Sequence, residues 1–506
     1  SRRKETRLHK QLAEKVAHLF VKSSSPLRVP PKSMTSLALR AIAAGLIAVG
    51  LTTNPTLAQD KKEKSKFQFR TELRFQLLNE ENIDFGSTND DSSFSQSIEL
   101  RERVTYTPTE DIKLYWEGRA VSVFGDNGGI DLDSGSTLPT KDFLEWRQSW
   151  IEFSDLFGND PLSLKIGRQR FKEERSLWWN RDLDAVRLAY DDKSLRGFVG
   201  VGQNLASYRT TGDDFGQDDQ DILRILGEVS WDYAPSHALE FRTAWQNDYS
   251  GIENTGSLVR SDDRDGKDDD LLWVGTRLKG SFADRALYAL DVMGVGGETH
   301  TVSTAATADP AHRRVTGANK RDVLGWGLDA SVHMPLPELG DAAAILGYAF
   351  GSGENNANGT DNGFRQLDLR SNYSQQGLLQ TSHGHYGLVL RPELSNLHIF
   401  TAGMFVPLFS GSDLTALYHY YRLDEDRGAL GSNGIRSPLT AGKADLGHAI
   451  DVMLKLDLTK ELGLSTRFLD KIELRTNVGL FRAGEAYGPE DGEYTMRGVS
   501  ELRFRF

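Results

Sequence analysis

Glu493 to Phe506 reads EYTMRGVSELRFRF. Its last residues alternate: Leu502, Phe504 and Phe506 fall on one face of an extended chain, and Glu501, Arg503 and Arg505 on the other. Successive side chains of a strand point to opposite faces, so this is a strand with one apolar and one charged surface. A soluble sheet can turn the apolar face onto a core. A membrane barrel can turn it onto lipid and the charged face onto a wet lumen. The rest of the chain decides between the two.

The same two-residue period recurs. Phe67 to Leu77 reads FQFRTELRFQL, with Phe67, Phe69, Leu73, Phe75 and Leu77 opposite Gln68, Arg70, Glu72, Arg74 and Gln76. Ile98, Leu100, Val104 and Tyr106 oppose Glu99, Arg101, Arg103 and Thr105, with Glu102 interrupting the apolar face. Ile112, Leu114 and Trp116 oppose Lys113, Glu117 and Arg119. Near the other end, Ile450 to Asp457 and Ile472 to Val478 repeat the pattern. The second face is charged with both signs, as a wet lumen needs and a soluble two-sheet body does not. Long polar loops are expected at Asn79 to Ser97, Asp126 to Lys141, Thr211 to Asp221, Ser261 to Asp270, Thr299 to Asp322 and Glu354 to Ser382, roughly alternating with short turns. At roughly 25 residues per strand plus connection, this predicts an all-β transmembrane antiparallel barrel of about 18 strands. Tyr106, Trp116, Phe124, Trp150, Phe153, Tyr348, Phe350, Tyr418 and Tyr420 lie near segment ends, where interfacial girdles are expected. The terminal strand ending in Phe506 resembles the closing strand of bacterial outer-membrane barrels.

Composition agrees. Of 506 residues, 38% are hydrophobic and 26% charged, which excludes a helical membrane protein but not a barrel with a polar interior. The net charge of −12 argues against nucleic acid. With no cysteine, disulfides, thiol chemistry and cysteine metal sites are excluded. Met34 starts MTSLALRAIAAGLIAVGLTTNPTLAQ. Arg40, the apolar run Ala41 to Leu51 and Thr56-Leu57-Ala58 read as a secretory signal cut after Ala58, and the run is too short for a spanning helix. The expected organisation is an upstream extension at 1–33, the signal at 34–58, a periplasmic lead at 59–66 and the barrel at 67–506. The expected location is the Gram-negative outer membrane.

Several strings go beyond class: IGRQRF (Ile166 to Phe171), AFGSGE (Ala349 to Glu354), FRQLDLRSNYS (Phe364 to Ser374), RPELSNL (Arg391 to Leu397), LGSNGIRSPLTAGKADLG (Leu430 to Gly447) and GLFRAGEAYGP (Gly479 to Pro489). They resemble the alginate export family over about residues 65–506, most densely from Ala349 onward. The resemblance implies an 18-stranded monomeric barrel with an electropositive, loop-narrowed lumen. An anionic exopolysaccharide, alginate or a related polyuronate, would slide through it from periplasm to exterior. It implies contact with outer-membrane lipid and lipopolysaccharide, and with periplasmic secretion machinery. By position it implies substrate-binding roles for Arg101, Arg147, Arg170 and Arg475, for Arg70 in place of a family lysine, and for Asp221 as the family's acid. Asp182 stands where the family's counterpart has a neutral amide, and Asn477 replaces a second arginine. Around Tyr373 and Ser382 to His385, family arginines give way to Tyr, Ser and His. The competing reading is a general or anion-selective nutrient-uptake porin.

The chemistry supports arginine on its own terms. A guanidinium stays charged and forks onto a carboxylate with two hydrogen bonds. Several moderate sites in series let a polymer advance, whereas one tight site would hold it. Each arginine can equally brace the wall as an ion pair. No cofactor is expected. SDDRDGKDDD (Ser261 to Asp270) fails the EF-hand pattern and reads as a solvated acidic loop with at most weak divalent-cation binding. His383, His385, His398 and His419 form no metal motif, and no GxSxG occurs, so an enzyme is not expected.

Overall fold

The computed structural model describes residues 66–506 apart from 87–91, 127, 134, 136, 213–214, 216–220, 252, 262–265, 283–284, 355–358, 410 and 464–468. The extension at 1–33, the signal at 34–58, positions 59–65 of the lead and the middle of the acidic Ser261 to Asp270 loop lie outside the described residues.

Among the described residues, 18 antiparallel strands close into one barrel. They are β1 (Phe67–Glu81), β2 (Ser92–Thr109), β3 (Ile112–Gly125), β4 (Phe143–Phe153), β5 (Leu162–Lys172), β6 (Asn180–Asp191), β7 (Leu195–Gln203), β8 (Ile222–Ala234), β9 (His237–Asp248), β10 (Lys267–Phe282), β11 (Ala286–Ala306), β12 (His312–Leu336), β13 (Ala342–Gly351), β14 (Leu397–Phe409), β15 (Ser412–Leu423), β16 (Asp445–Asp457), β17 (Lys471–Ala483) and β18 (Tyr494–Arg505). The sheet closes where β18 pairs with β1, setting Leu73 opposite Phe504 and Arg74 opposite Arg503.

The barrel is apolar outside and charged inside. Phe69, Trp146, Val199, Trp231, Phe241, Val274, Trp326, Leu346, Phe400 and Ile450 are exposed on its outer surface, while Arg101, Arg147, Arg224, Arg277 and Arg503 are buried on the inner one. The closing strand follows this rule, with Glu501 and Arg503 buried inside and Phe504 meeting Phe75 edge-on at 6.1 Å outside. Such an arrangement is stable with lipid around the wall and water or paired charge within it. Girdle aromatics gather as expected: Phe67 stacks on Tyr106 at 4.2 Å, and Tyr348 lies against Phe400 at 5.0 Å. Trp150 departs from that expectation. Its ring packs on Tyr115 at 5.0 Å and carries the Lys165 ammonium at 4.1 Å, both on the inner face. The cause is a bulge in β4, described below.

Short turns and long loops alternate around the barrel, with β1 starting and β18 ending at the short-turn end. Three loop expectations are corrected, Asp126 to Lys141 in the site described below and two others here. Thr299 to Asp322 is mostly strand, because β11 and β12 continue their ladder to Ala306 and Arg313. Above the bilayer a strand needs no apolar face, so its Thr, Ser and Lys residues hide the period. Glu354 to Ser382 is not an external loop, since much of the 352–396 segment between β13 and β14 is buried. Phe364, Leu367, Leu369, Leu379, Tyr386 and Leu390 are buried in it. Its anchors run around the wall. Asn180 N–H on β6 donates to Leu369 O (2.7 Å), and Trp273 Nε1 on β10 to Arg365 O (2.7 Å). The Tyr386 hydroxyl donates to Asp329 on β12 (2.8 Å), and Leu388 N–H to Asp451 on β16 (2.8 Å). This segment is a plug. At Gly387 (φ 95°) a Cβ would sit 2.2 Å from the Tyr421 hydroxyl, so only glycine lets the plug lie against β15.

Candidate functional site

The plug separates two cavities. One, of about 960 Å³, opens at the short-turn end and is lined by Lys193, Tyr233, His237, Lys279, Gln376 and Gly377. The other, of about 510 Å³, lies on the loop side and is lined by Lys267, Glu354, Arg365, Asp368 and Arg370. The wall beside them, from β17 through β1 to β6, carries most of the residues singled out by sequence.

The β4 bulge places Arg147. Glu117 pairs with Gln148 and Gly118 with Trp146, leaving Arg147 as the extra residue. A bulge re-aims side chains and shifts their parity, which also turns Trp150 inward. Arg147 is buried, with Nη1 3.3 Å from Asp131 and Nη2 3.3 Å from Asp182. Arg170 lies 3.5 Å from the same Asp182 oxygen and donates to Asn180 Oδ1 (3.0 Å). The GRQ triplet explains this position. Gly167 (φ 120°) kinks β5 where a Cβ would strike Ser149 O at 2.3 Å. Beyond the kink, Gln169 Nε2 donates to Ala185 O (3.0 Å), with Lys165 O and Gly167 O also within reach (3.3 and 3.4 Å). The glutamine thus satisfies carbonyls at the kink, and the strand carries Arg170 toward Asp182.

Arg101 is buried among four carboxylates: Glu99 (2.6 Å), Asp133 (2.7 Å), Glu117 (3.7 Å) and Asp131 (3.9 Å). Asp131 and Asp133 come from the loop after β3, which sequence placed outside. Asp131 also accepts from Arg119 (2.9 Å), and Asp133 meets Arg74 (2.6 Å) and Arg503 (3.2 Å). Burial alone would raise both acids, but the surrounding guanidiniums outweigh it and hold each well below the ordinary carboxylate range. These two aspartates fasten the loop to β1, β2, β3, β4 and β18. Their signal was present in sequence: Ile130 and Leu132, two apolar residues in a polar loop, are buried on either side of Asp131.

Arg475 is buried on β17 and paired with Glu473. Asn477, two residues on, is buried with Oδ1 lacking a partner among the described residues. Arg70 is exposed at the start of β1, opposite Arg103 and apart from the buried ion pairs. Asp221 is exposed in the turn before β8 (φ 57°), and its carbonyl accepts from Tyr249 N–H (3.0 Å). The structure therefore joins Arg101, Arg147, Arg170 and Asp182 in one contact network and leaves Arg70 and Asp221 outside it. Within that network, among the described residues, the guanidiniums of Arg74, Arg101, Arg103, Arg119, Arg147, Arg170, Arg209, Arg503 and Arg505 slightly outnumber the carboxylates of Glu72, Glu99, Glu117, Glu145, Glu501 and the three aspartates. Of the histidines, His383 and His385 are buried in the plug, His419 is buried 3.5 Å from Asp451, and His398 lies 3.2 Å from Asp424.

Comparison with known proteins agrees with this architecture. In overall fold the chain is similar to two Pseudomonas aeruginosa crystal structures. One is OccK5 (OpdH), with TM-score 0.51 and 11% identity, covering 87% of this chain and 98% of that one. The other is OccK8 (OprE), with TM-score 0.50 and 10% identity over the same shares. In sequence it is 26% identical over 472 residues to the alginate production protein AlgE of Pseudomonas aeruginosa, spanning 89% of this chain and 94% of that protein. It is 23% identical to AlgE of Pseudomonas syringae pv. tomato, spanning 89% and 96%. The alginate export family profile matches residues 64–500. The chain belongs to the alginate export family, as an outer-membrane β-barrel channel and not an enzyme.

Proposed function

We propose that the barrel conducts a polyuronate, alginate or a close relative, from periplasm to cell exterior along an inner wall where arginines exchange carboxylate partners. The observation that carries this reading is the network around Arg101, Arg147, Arg170 and Asp182. Each of these arginines faces lumen carboxylates at 2.6–4.0 Å. A polymer carboxylate entering the lumen competes with a wall carboxylate for a fork that is already charged and oriented. The net gain per step is small because one ion pair replaces another, and a small gain is what lets a threaded chain move on. Arg475 and Arg70 extend the same role along the wall in this reading. Asn477 and Asp221 supply neutral and acidic contacts to sugar hydroxyls. The export itself is passive, and the driving step belongs to periplasmic machinery.

A second reading, a general nutrient-uptake porin, is favoured by the near balance of charge. A wall whose guanidiniums are nearly matched by carboxylates repels neither sign strongly. Planar-bilayer recording separates the two. Export of a polyuronate requires anion preference in a salt gradient and current reduction by oligomannuronates but not by maltooligosaccharides of equal length. Equal reduction by both sugars, or no anion preference, contradicts the proposal.

A further inference from the structure

Two inner arginines, one on the wall and one on the plug, share a single carboxylate. Arg497, on β18, faces inward opposite Glu80 on β1 and is 3% exposed. Its Nε is 3.1 Å from Glu80 Oε1, yet Nε and Nη1 both lack an aligned acceptor among the described residues. Arg391, on the plug, brings Nη2 to 3.9 Å from the same Glu80 oxygen, and its Nε also lacks an acceptor. Burial lowers the Arg391 pKa from the ordinary arginine value, Glu80 opposes that fall and Arg436 adds to it. Glu80 is engaged besides by the Ser93 hydroxyl at 3.5 Å. The neighbourhood thus holds an excess of buried, under-satisfied donors, which favours an additional anion.

Arg391 also lines a cavity of about 200 Å³, together with Arg370, Tyr373, Tyr386 and Ser432. Arg370 is occupied by Glu393 at 3.1 Å. The space suits one sugar ring, with the Ser371 and Ser432 hydroxyls in a lining where arginines outnumber the carboxylates Asp368 and Glu393.

We propose that this cavity is a subsite for one carboxylated sugar residue. Arg391 takes the carboxylate, Arg497 backs it with a second positive charge, and Glu80 competes with the ligand so that the grip stays exchangeable. The proposal rests on the polyuronate reading above and locates one station of it at the plug.

Calorimetric titration of the detergent-solubilised barrel with trimannuronate tests it, with maltotriose as the neutral control. Folding of each variant is checked by heat-modifiable gel migration. Arg391→Gln is expected to weaken trimannuronate binding about tenfold, the loss of one charge-assisted contact. Glu80→Gln is expected to strengthen it several-fold by removing the competitor. Because the two changes act in opposite directions, a merely structural effect cannot reproduce both. Unchanged binding in Arg391→Gln, or weaker binding in Glu80→Gln, overturns the subsite. Should Arg391→Gln not fold, Arg391→Lys and Glu80→Gln decide by the same signs. If wild type binds no trimannuronate but still releases polymannuronate from liposomes, the subsite falls and the conduit stands. If it does neither, both fall.

Discussion

At the scale of single residues, Asp182 is the fulcrum of the wall. One of its oxygens faces both Arg147 and Arg170 at 3.3 and 3.5 Å, and the other has no hydrogen-bond partner among the described residues. Removing both arginines leaves an uncompensated carboxylate, and removing the carboxylate frees both arginines. Opposite effects on selectivity follow. Arg147→Ala with Arg170→Ala is expected to lower the anion-to-cation permeability ratio several-fold. Asp182→Asn is expected to raise it. Reversal potentials in a potassium chloride gradient measure both, with folding verified by heat-modifiable migration. Identical ratios in all three proteins would show that these residues brace the wall without meeting permeating ions. Strand alternation made Arg101 visible because it turns charged residues inward, whereas Arg147 and Arg170 were singled out only by the family resemblance. It did not expose the bulge at Arg147. A bulge is set by pairing across strands, which a local period cannot reveal.

At the scale of elements, two inserted segments shape the conduit, and they answer acid differently. The loop after β3 is fastened by Asp131 and Asp133, whose pKa values are held below the ordinary range. Their stabilisation is present above the free carboxyl pKa, roughly 3.9, and is lost only as pH falls through the still lower folded values. That loop stays fastened at pH 5. The plug carries His383, which burial pushes down to about 4, and His385, which burial pushes well below its usual value. Around them stand Arg175, Arg277, His333 and His419, which oppose a charged ring, and Asp451 with the Thr381 and Arg175 carbonyls, which favour it but do not outweigh burial. A released histidine takes a proton near pH 6.5 and a docked one does not, so docking is full above that value and weakens as pH falls toward 4. The expected loss is about 1.4 kcal/mol per pH unit for each histidine. Proteolysis of 375–387 and single-channel conductance are both expected to rise from pH 7 to pH 4.5. His383→Phe with His385→Phe is expected to flatten that rise, and a pH-independent wild type would refute the role given to the plug. The strands were legible because lipid outside and water inside impose a two-residue period. The plug was not, because a segment buried among wall side chains keeps the Arg, Asn, Ser and Asp content of a solvated loop, as FRQLDLRSNYS does.

At the scale of the whole molecule, function follows from inversion. An ordinary domain hides its apolar residues and exposes its charges, whereas this one places Phe69, Trp231 and Ile450 on the outside and Arg101, Arg277 and Arg503 within. Buried guanidiniums are tolerable because they find carboxylates from adjacent strands or inserted loops, and in the proposed export reading those same pairs form the path of a sugar acid. The fold class was readable from EYTMRGVSELRFRF outward, since one strand states both what lies outside the wall and what lies inside. The charge balance of the lumen was not. Counting strand arginines omits Asp131 and Asp133, which reach the lumen only through tertiary folding. Release of polymer from liposomes is the most direct measure of what the assembled wall does. Vesicles carrying the purified barrel, loaded with labelled polymannuronate and a neutral dextran of equal hydrodynamic size, are expected to lose polymannuronate much faster than dextran. Equal escape of the two, or retention of both with the plug loosened at pH 4.5, would contradict a polyuronate conduit.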